Sequence, residues 1–207
     1  MAKKQEYGMA LNWNYVIVSI VAFVILMLCV LYAPNFREID GNILHSIRLA
    51  LSPYPVYIAG LISEFGRAQH MLWPQITAVS VLVSHQKYMK AFLLVFFTQA
   101  SFVITDFIKN FVCRERPANI YPGFSFPSGH SSTTMCFYGI LIYLVLRYVK
   151  TDFWRYLLTS VFGIFIALVA ISRLWLGVHF PADVLAGLFL GFMLVNIYII
   201  VAKSLSK

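Results

Sequence analysis

Six stretches without a charged side chain constrain this sequence more than any other feature: residues 7–36, 68–86, 91–105, 117–146, 156–172 and 184–202. A helix rises ~1.5 Å per residue, so about 20 largely apolar residues, and no fewer than ~17, cross a ~30 Å hydrocarbon core. The run 91–105 reaches that length when Lys90 and Asp106 are taken as its rims, and the others meet it directly. Backbone amides cannot go unpaired in lipid, so crossing segments must be helical. The expectation is an all-α polytopic membrane protein, one membrane-embedded domain over 1–207. It has six transmembrane helices in a bundle, near 14–33, 69–85, 89–108, 130–148, 155–172 and 181–202, with short amphipathic interfacial helices. Composition agrees, at 60% hydrophobic and 12% charged residues.

Lys3 and Lys4 ahead of the first run resemble the start of a signal peptide. The run is too long for one, and Tyr32-Ala33-Pro34-Asn35 lacks a small-residue cleavage pattern, so the first span is expected to be retained after a frayed polar lead over 1–12. The net charge of +8 does not point to nucleic acid, because the basic residues sit at segment ends rather than along one face. Their placement sets orientation instead. With the N-terminus inside, Lys3, Lys4, Lys87, Lys90, Arg147, Lys150, Arg155, Lys203 and Lys207 lie on the cytoplasmic side. Arg37, Arg48, Arg67, Lys109, Arg114, Arg116 and Arg173 lie opposite. Four of those seven belong to two polar islands, leaving nine against three. The positive-inside rule then places both termini in the cytoplasm and both islands outside.

Between the first two spans, Ile39, Ile43, Leu44, Ile47 and Leu51 recur at helical spacing, with Asp40, Asn42, His45 and Arg48 opposite. This predicts an amphipathic helix on the outer interface, ended by Pro53 and Pro55. The short apolar piece Val56 to Ile62 reads as packing, or as a lid or lateral gate for a lipid. His45 and His70 have no polar company, and His85 reads as a solvated cytoplasmic residue. Gly187 and Gly191 suit close helix contact within the bundle, which leaves a monomer or a weak homodimer. Cys29 and Cys136 fall in spans as packing residues, and Cys113 stands alone, so neither a disulfide nor a metal site is indicated.

The first polar island runs from Lys109 through Arg114 and Arg116 to Pro127-Ser128-Gly129-His130, and the second holds Arg173, His179 and Asp183. Basic residues at a span's end commonly anchor it. Here Ser128 also reads as the N-cap of the fourth span, whose free amides and partial positive charge suit an oxyanion. His179 and Asp183 are four residues apart, a spacing that puts both side chains on one helix face and lets a carboxylate orient an imidazole and leave its other nitrogen free as nucleophile or base. A structural Asp–His pair is the alternative. Cations for a phosphoryl group and two histidines to divide attack and protonation favour phosphoryl transfer, and the absence of clustered carboxylates or cysteines makes a di-metal site poor.

Lys109, six residues and Arg116-Pro117; Pro127-Ser128-Gly129-His130; then Ser172-Arg173, five residues, His179, three residues and Asp183 follow in order. This arrangement resembles the three-part signature of the type-2 phosphatidic acid phosphatase superfamily, which includes lipid phosphate phosphatases and is related to vanadium-dependent haloperoxidases. The resemblance implies His179 as a nucleophile forming a phosphohistidine, Asp183 orienting it, and His130 as acid and then base. It also implies Lys109, Arg116, Arg173, the Ser128 hydroxyl and the Gly129 amide as ligands of the phosphate oxygens. Neither cofactor nor metal is implied. Bacterial relatives act on undecaprenyl diphosphate, phosphatidylglycerol phosphate, phosphatidic acid or lipid A phosphates, so the implied partners are a lipid phosphate and membrane lipids, at the outer face of a bacterial plasma membrane. A lipid phosphotransferase would use the same residues; a non-catalytic lipid binder or transporter would reuse only the scaffold, and a haloperoxidase-like activity sits poorly with six spans. Arg114, Glu115 and Asp106 match no motif position, although Asp106 is spaced to pair with Lys109, and residues 118–126 carry no reading.

Overall fold

The computed structural model describes residues 2–118 and 122–205, with residues 2–11 and 68 described by their backbone alone. The described residues form helices only: α1 (Ala2–Tyr32), α2 (Phe36–Leu51), α3 (Val56–Glu64), α4 (Ala68–Ser84), α5 (Tyr88–Val112), α6 (Gly129–Tyr148), α7 (Asp152–Trp175) and α8 (Pro181–Ser204). Five of them, α1 from Asn12, α5, α6, α7 and α8, are long and apolar enough to cross a membrane. The remaining expected span is α4, a helix of 17 residues, whose rise of about 25 Å stands at the lower limit for a ~30 Å core. The frayed lead expected over 1–12 is helical from Ala2 onward, which its Ala, Lys, Gln and Glu residues favour. Lys207 and its expected cytoplasmic placement lie outside the described residues, as do residues 119–121 of the uninterpreted 118–126 segment.

The helix expected at the interface, α2, is turned differently from its sequence pattern. Asp40 and Leu44 are its buried residues, while Ile39 and Ile43 are exposed. The expected polar face supplies an inward carboxylate because Arg114 and a free amide of α8 lie beneath it. A buried partner for a charge outweighs the apolar periodicity that two isoleucines suggest.

The core lies among α5, α6 and α8, where Leu94, Phe97, Phe137, Ile140, Leu194 and Tyr198 are buried. In lipid no hydrophobic force drives helices together, so contact depends on close packing and on hydrogen bonds between them. Gly187 and Gly191 supply the close packing. A Cβ on Gly187 would stand 2.4 Å from the Ser128 carbonyl oxygen, and one on Gly191 would stand 2.4 Å from that of Ser132. The expected small-residue face is therefore occupied by α6 within the same chain. α1 lies along α8, tied by the Asn12 Nδ2 to Asn196 Oδ1 bond of 2.9 Å and by Lys203 Nζ donating to Asn12 Oδ1 at 2.9 Å.

Replacing either glycine forces backbone away from backbone, which no rotamer change can relieve. Gly191→Ala is expected to destabilise the protein by about 1–3 kcal/mol, read as a lowered unfolding midpoint in detergent, whereas Gly163→Ala, where the added carbon meets open space, should not.

Candidate active site

Two helix starts and two helix ends converge on one cavity of about 290 Å³, lined by Lys109 from α5, Arg116, Gly129 and His130 from α6, Arg173 and Leu176 from α7, and His179. The fourth wall is α3 and the turn after it, which contribute Gly60, Ser63, Glu64 and Arg67. Of the expected site residues, Lys109, Arg116, Gly129, His130, Arg173 and His179 line the cavity, and Asp183 lies directly behind His179.

Ser128 is placed differently. Its side chain is fully buried and is the N-cap of α6: its Oγ accepts the Ser131 amide at 3.4 Å and the Ser131 hydroxyl at 2.9 Å. Its hydroxyl therefore shapes the helix start, while Gly129 and His130 occupy the first turn, whose amides have no carbonyl within the helix to bond.

His179 does not share a helix face with Asp183. It precedes α8, and Asp183 sits in the first turn of that helix, where Oδ2 reaches back to the Phe180 amide at 2.8 Å. That capping turn brings Nδ1 of His179 to 3.5 Å from Oδ2, longer than a hydrogen bond. On the other side of the ring, Arg116 Nη1 donates to Nε2 at 3.2 Å, so Nε2 carries the lone pair and Nδ1 the proton. Burial pushes the imidazole down to about 4; Asp183 opposes the shift, and Arg173 and Lys109 add to it.

The cations are held by named partners. Arg116 also donates from Nε to the Gly123 carbonyl at 3.1 Å and from Nη1 to the Val178 carbonyl at 3.1 Å. The first of these bonds, with the Ser125 amide donating to the Arg114 carbonyl at 2.7 Å, ties Gly123 and Ser125 to the two arginines, to the Arg116 side chain and the Arg114 backbone. Arg173 donates from Nη1 to the Ser63 hydroxyl and is buried. Arg67 pairs with Glu64 at 2.8 Å, and His70 lies 3.3 Å from the same carboxylate, so His70 has the polar company its sequence context did not suggest.

Sequence reasoning missed three contributors. Glu64 and Arg67 follow an apolar piece read as packing, and only their spacing of three marks a pair on one face. Arg114, set aside for matching no motif, is buried and bonds Asp183 Oδ1 at 2.7 Å and Asp40 Oδ2 at 2.8 Å. Burial raises the Asp40 carboxyl above its ordinary value, against the pull of Arg114 and of the Ala182 amide.

Known proteins place this arrangement. Over 184 residues the chain is 26% identical to phosphatidylglycerophosphatase B of Bacillus subtilis (strain 168), covering 86% of this chain and 90% of that protein. A shorter stretch of 87 residues is 28% identical to lipid phosphate phosphatase delta of Arabidopsis thaliana, covering 40% of this chain and 20% of that protein. The fold is similar to the crystal structure of the transmembrane PAP2-type phosphatidylglycerolphosphate phosphatase from Bacillus subtilis, with a TM-score of 0.80 at 24% identity over 88% of this chain and 93% of that one. It is also similar to that of Aquifex aeolicus LpxE, with a TM-score of 0.56 at 21% identity over 75% and 93%. Residues 90–206, more than half the chain and every motif residue described above, match the PAP2 superfamily, and the protein belongs to it as a bacterial-type membrane phosphatase.

Proposed function

We propose that the protein hydrolyses a lipid phosphate through a phosphohistidine at the outer face of a bacterial plasma membrane. The observation that carries this reading is a single cavity in which Lys109, Arg116, Arg173 and Arg67 surround His130 and His179. Cations so placed neutralise the non-bridging oxygens of a phosphoryl group and the charge that builds on them during transfer. Nε2 of His179 attacks phosphorus as the bond to the lipid oxygen breaks, and His130 gives that oxygen its proton. Water then attacks the phosphoryl group, its proton passes to His130, and the P–N bond breaks to release inorganic phosphate. Asp183 supports the charge on the phosphorylated ring, and the Gly129 amide at the start of α6 adds a donor to the phosphate. Ser128 holds that helix start in shape. The lining sets one carboxylate, Glu64, among four cations. Such a donor set repels a divalent cation, which favours a metal-independent reaction.

A lipid substrate is supported by the bundle itself. α4 packs on α5 and leaves an apolar cleft of about 740 Å³ facing α6 and α7, lined by residues that include Ala78, Val81, Tyr138, Leu141 and Phe162. Tyr138, the residue of α6 in this cleft nearest the site, lies eight residues beyond His130, about 12 Å along the axis, and the cleft continues to His85 and Lys87 at the expected cytoplasmic end, so it suits the distal part of a long acyl or prenyl chain. The name of the Bacillus subtilis relative makes phosphatidylglycerol phosphate the first candidate, ahead of polyprenyl diphosphates such as undecaprenyl diphosphate and of phosphatidic acid. With α4 as a sixth crossing, the whole chain acts as one domain with both termini cytoplasmic.

The purified protein should release phosphate from at least one member of a panel of these lipids in the presence of chelator. His179→Ala should reduce turnover at least about a thousandfold while phosphate binding survives, and an acid-labile phosphoenzyme should accumulate briefly in the native protein alone. Full activity in His179→Ala contradicts the assignment. A tag at the C-terminus should resist protease in intact cells, and its digestion there contradicts the topology.

The lowered value of His179 also fixes a sign for stability. Above the ordinary 6.5, neither folded nor unfolded chain protonates this ring; between 6.5 and about 4 only the unfolded chain does. Stability should therefore fall as pH drops from 6.5 toward 4, and the slope of the unfolding midpoint over that window should be shallower in His179→Ala.

A further inference from the structure

Among the described residues, Arg114 and Asp40 are buried charged groups outside the cavity to which the proposed reaction gives no role. Arg114 lies on the far side of Asp183 from His179, and its two terminal nitrogens go to two different carboxylates, Asp183 of α8 at 2.7 Å and Asp40 of α2 at 2.8 Å. All three residues are buried, with exposures of 8% for Arg114, 3% for Asp40 and 0% for Asp183. The Phe180 ring lies 4.0 Å from the guanidinium carbon, closing one face of the group. Asp40 in turn accepts the Ala182 amide through Oδ1 at 3.1 Å, one of the first-turn donors of α8 that the helix leaves unpaired.

We infer that Arg114 is a positioning residue for the nucleophile, fixing the Asp183 carboxylate and itself fixed by Asp40, so that α2 is part of the catalytic frame. This rests on the phosphohistidine reading for its kinetic consequences. The geometry leaves Asp183 little freedom: Oδ1 is taken by Arg114 and Oδ2 by the Phe180 amide, so the carboxylate cannot rotate away from Nδ1 of His179. The bridge also needs arginine. A planar guanidinium offers two parallel donor directions at fixed separation, whereas an ammonium is a point charge that holds one carboxylate well. Charge is the second effect. A bare buried carboxylate beside His179 would draw a proton onto the ring and remove the lone pair at Nε2; a cation on the opposite edge of that carboxylate limits the pull.

The other charged groups around His179 cannot replace this. Lys109 from α5, Arg116 from the loop after it, His130 from α6, Arg173 from α7, and Glu64 with Arg67 from α3 all stand on the cavity side. Arg114 and Asp40 are the groups behind the carboxylate.

The test compares Arg114→Gln, Arg114→Lys and Asp40→Asn in the full-length protein in detergent. It reads kcat and KM for a lipid phosphate that the native protein hydrolyses, the acid limb of kcat/KM, and His179 protonation by NMR of histidine-labelled protein. Arg114→Gln should lower kcat about tenfold or more with KM nearly unchanged, and should move the acid limb and the His179 titration up by about one pH unit. Arg114→Lys keeps the charge, so the limb should return toward its native position while kcat stays depressed. Asp40→Asn should lower kcat several-fold without raising the limb. A folded Arg114→Gln variant with native kcat and native limb overturns the inference. If that variant does not fold, native kcat in both Arg114→Lys and Asp40→Asn overturns it. A native protein inactive on every lipid phosphate counts against the phosphatase reading instead; the His179 titration then decides, an unchanged value in Arg114→Gln, or in the uncharged Arg114→Met should the glutamine variant not fold, overturning the inference.

Discussion

The hydrogen bond from the Ser128 amide to the Asp183 carbonyl, at 2.9 Å, joins the first turn of α8 to the N-cap of α6, and the site depends on that junction. His130 sits two residues beyond the cap, and His179 four residues before the carbonyl. The two histidines are 49 residues apart in the chain, so nothing local fixes their separation. What fixes it is the absence of side chains at Gly187 and Gly191, which lets the two backbones run in contact for two turns below the junction. In a bilayer such contact is a principal source of helix association, since lipid tails compete equally for apolar side chains.

A cluster of cations in one pocket is self-repelling, and the surrounding structure is arranged to tolerate it. Arg116 is held by two carbonyls and a ring nitrogen, Arg173 by a serine of α3, and Arg67 by Glu64. Dipoles and carboxylates placed in advance reduce the reorganisation that an arriving anion would otherwise demand. The same principle extends outward through Arg114 to α2. Segments outside the long spans therefore supply much of the rigidity of the centre, although neither α2 nor α3 carries a signature residue.

Five of the spans and the three signature segments were legible in the sequence because each rests on a local rule: an uncharged run long enough for a bilayer, a cap, a fixed spacing. Their boundaries held to within a few residues in α5, α6, α7 and α8. What was not legible is tertiary. Asp40 follows the polar stripe of α2 by periodicity, yet it points inward because an arginine seventy-four residues later needs it. Arg114 lies two residues from a motif arginine and was indistinguishable from an interfacial anchor. The spacing of four between His179 and Asp183 suggested a shared helix face, whereas the proximity comes from a capping turn. Ser128 was assigned a ligand role by position, and its capping of α6, where its Oγ accepts from Ser131, is a further role that only the structure shows. In each case the sequence supplies the residue, and only packing across elements decides its partner.

The bond from Arg116 to Nε2 of His179 gives the site a further property. The lone pair that the proposed reaction needs is engaged by the same guanidinium that would bind phosphate. An oxyanion competes for that guanidinium and, in winning it, uncovers the nitrogen; an uncharged ester or an alkylating agent has nothing to offer in exchange. Under the proposed reaction, the group that would bind the phosphate is also the one that covers the attacking nitrogen, so binding and activation would be a single event.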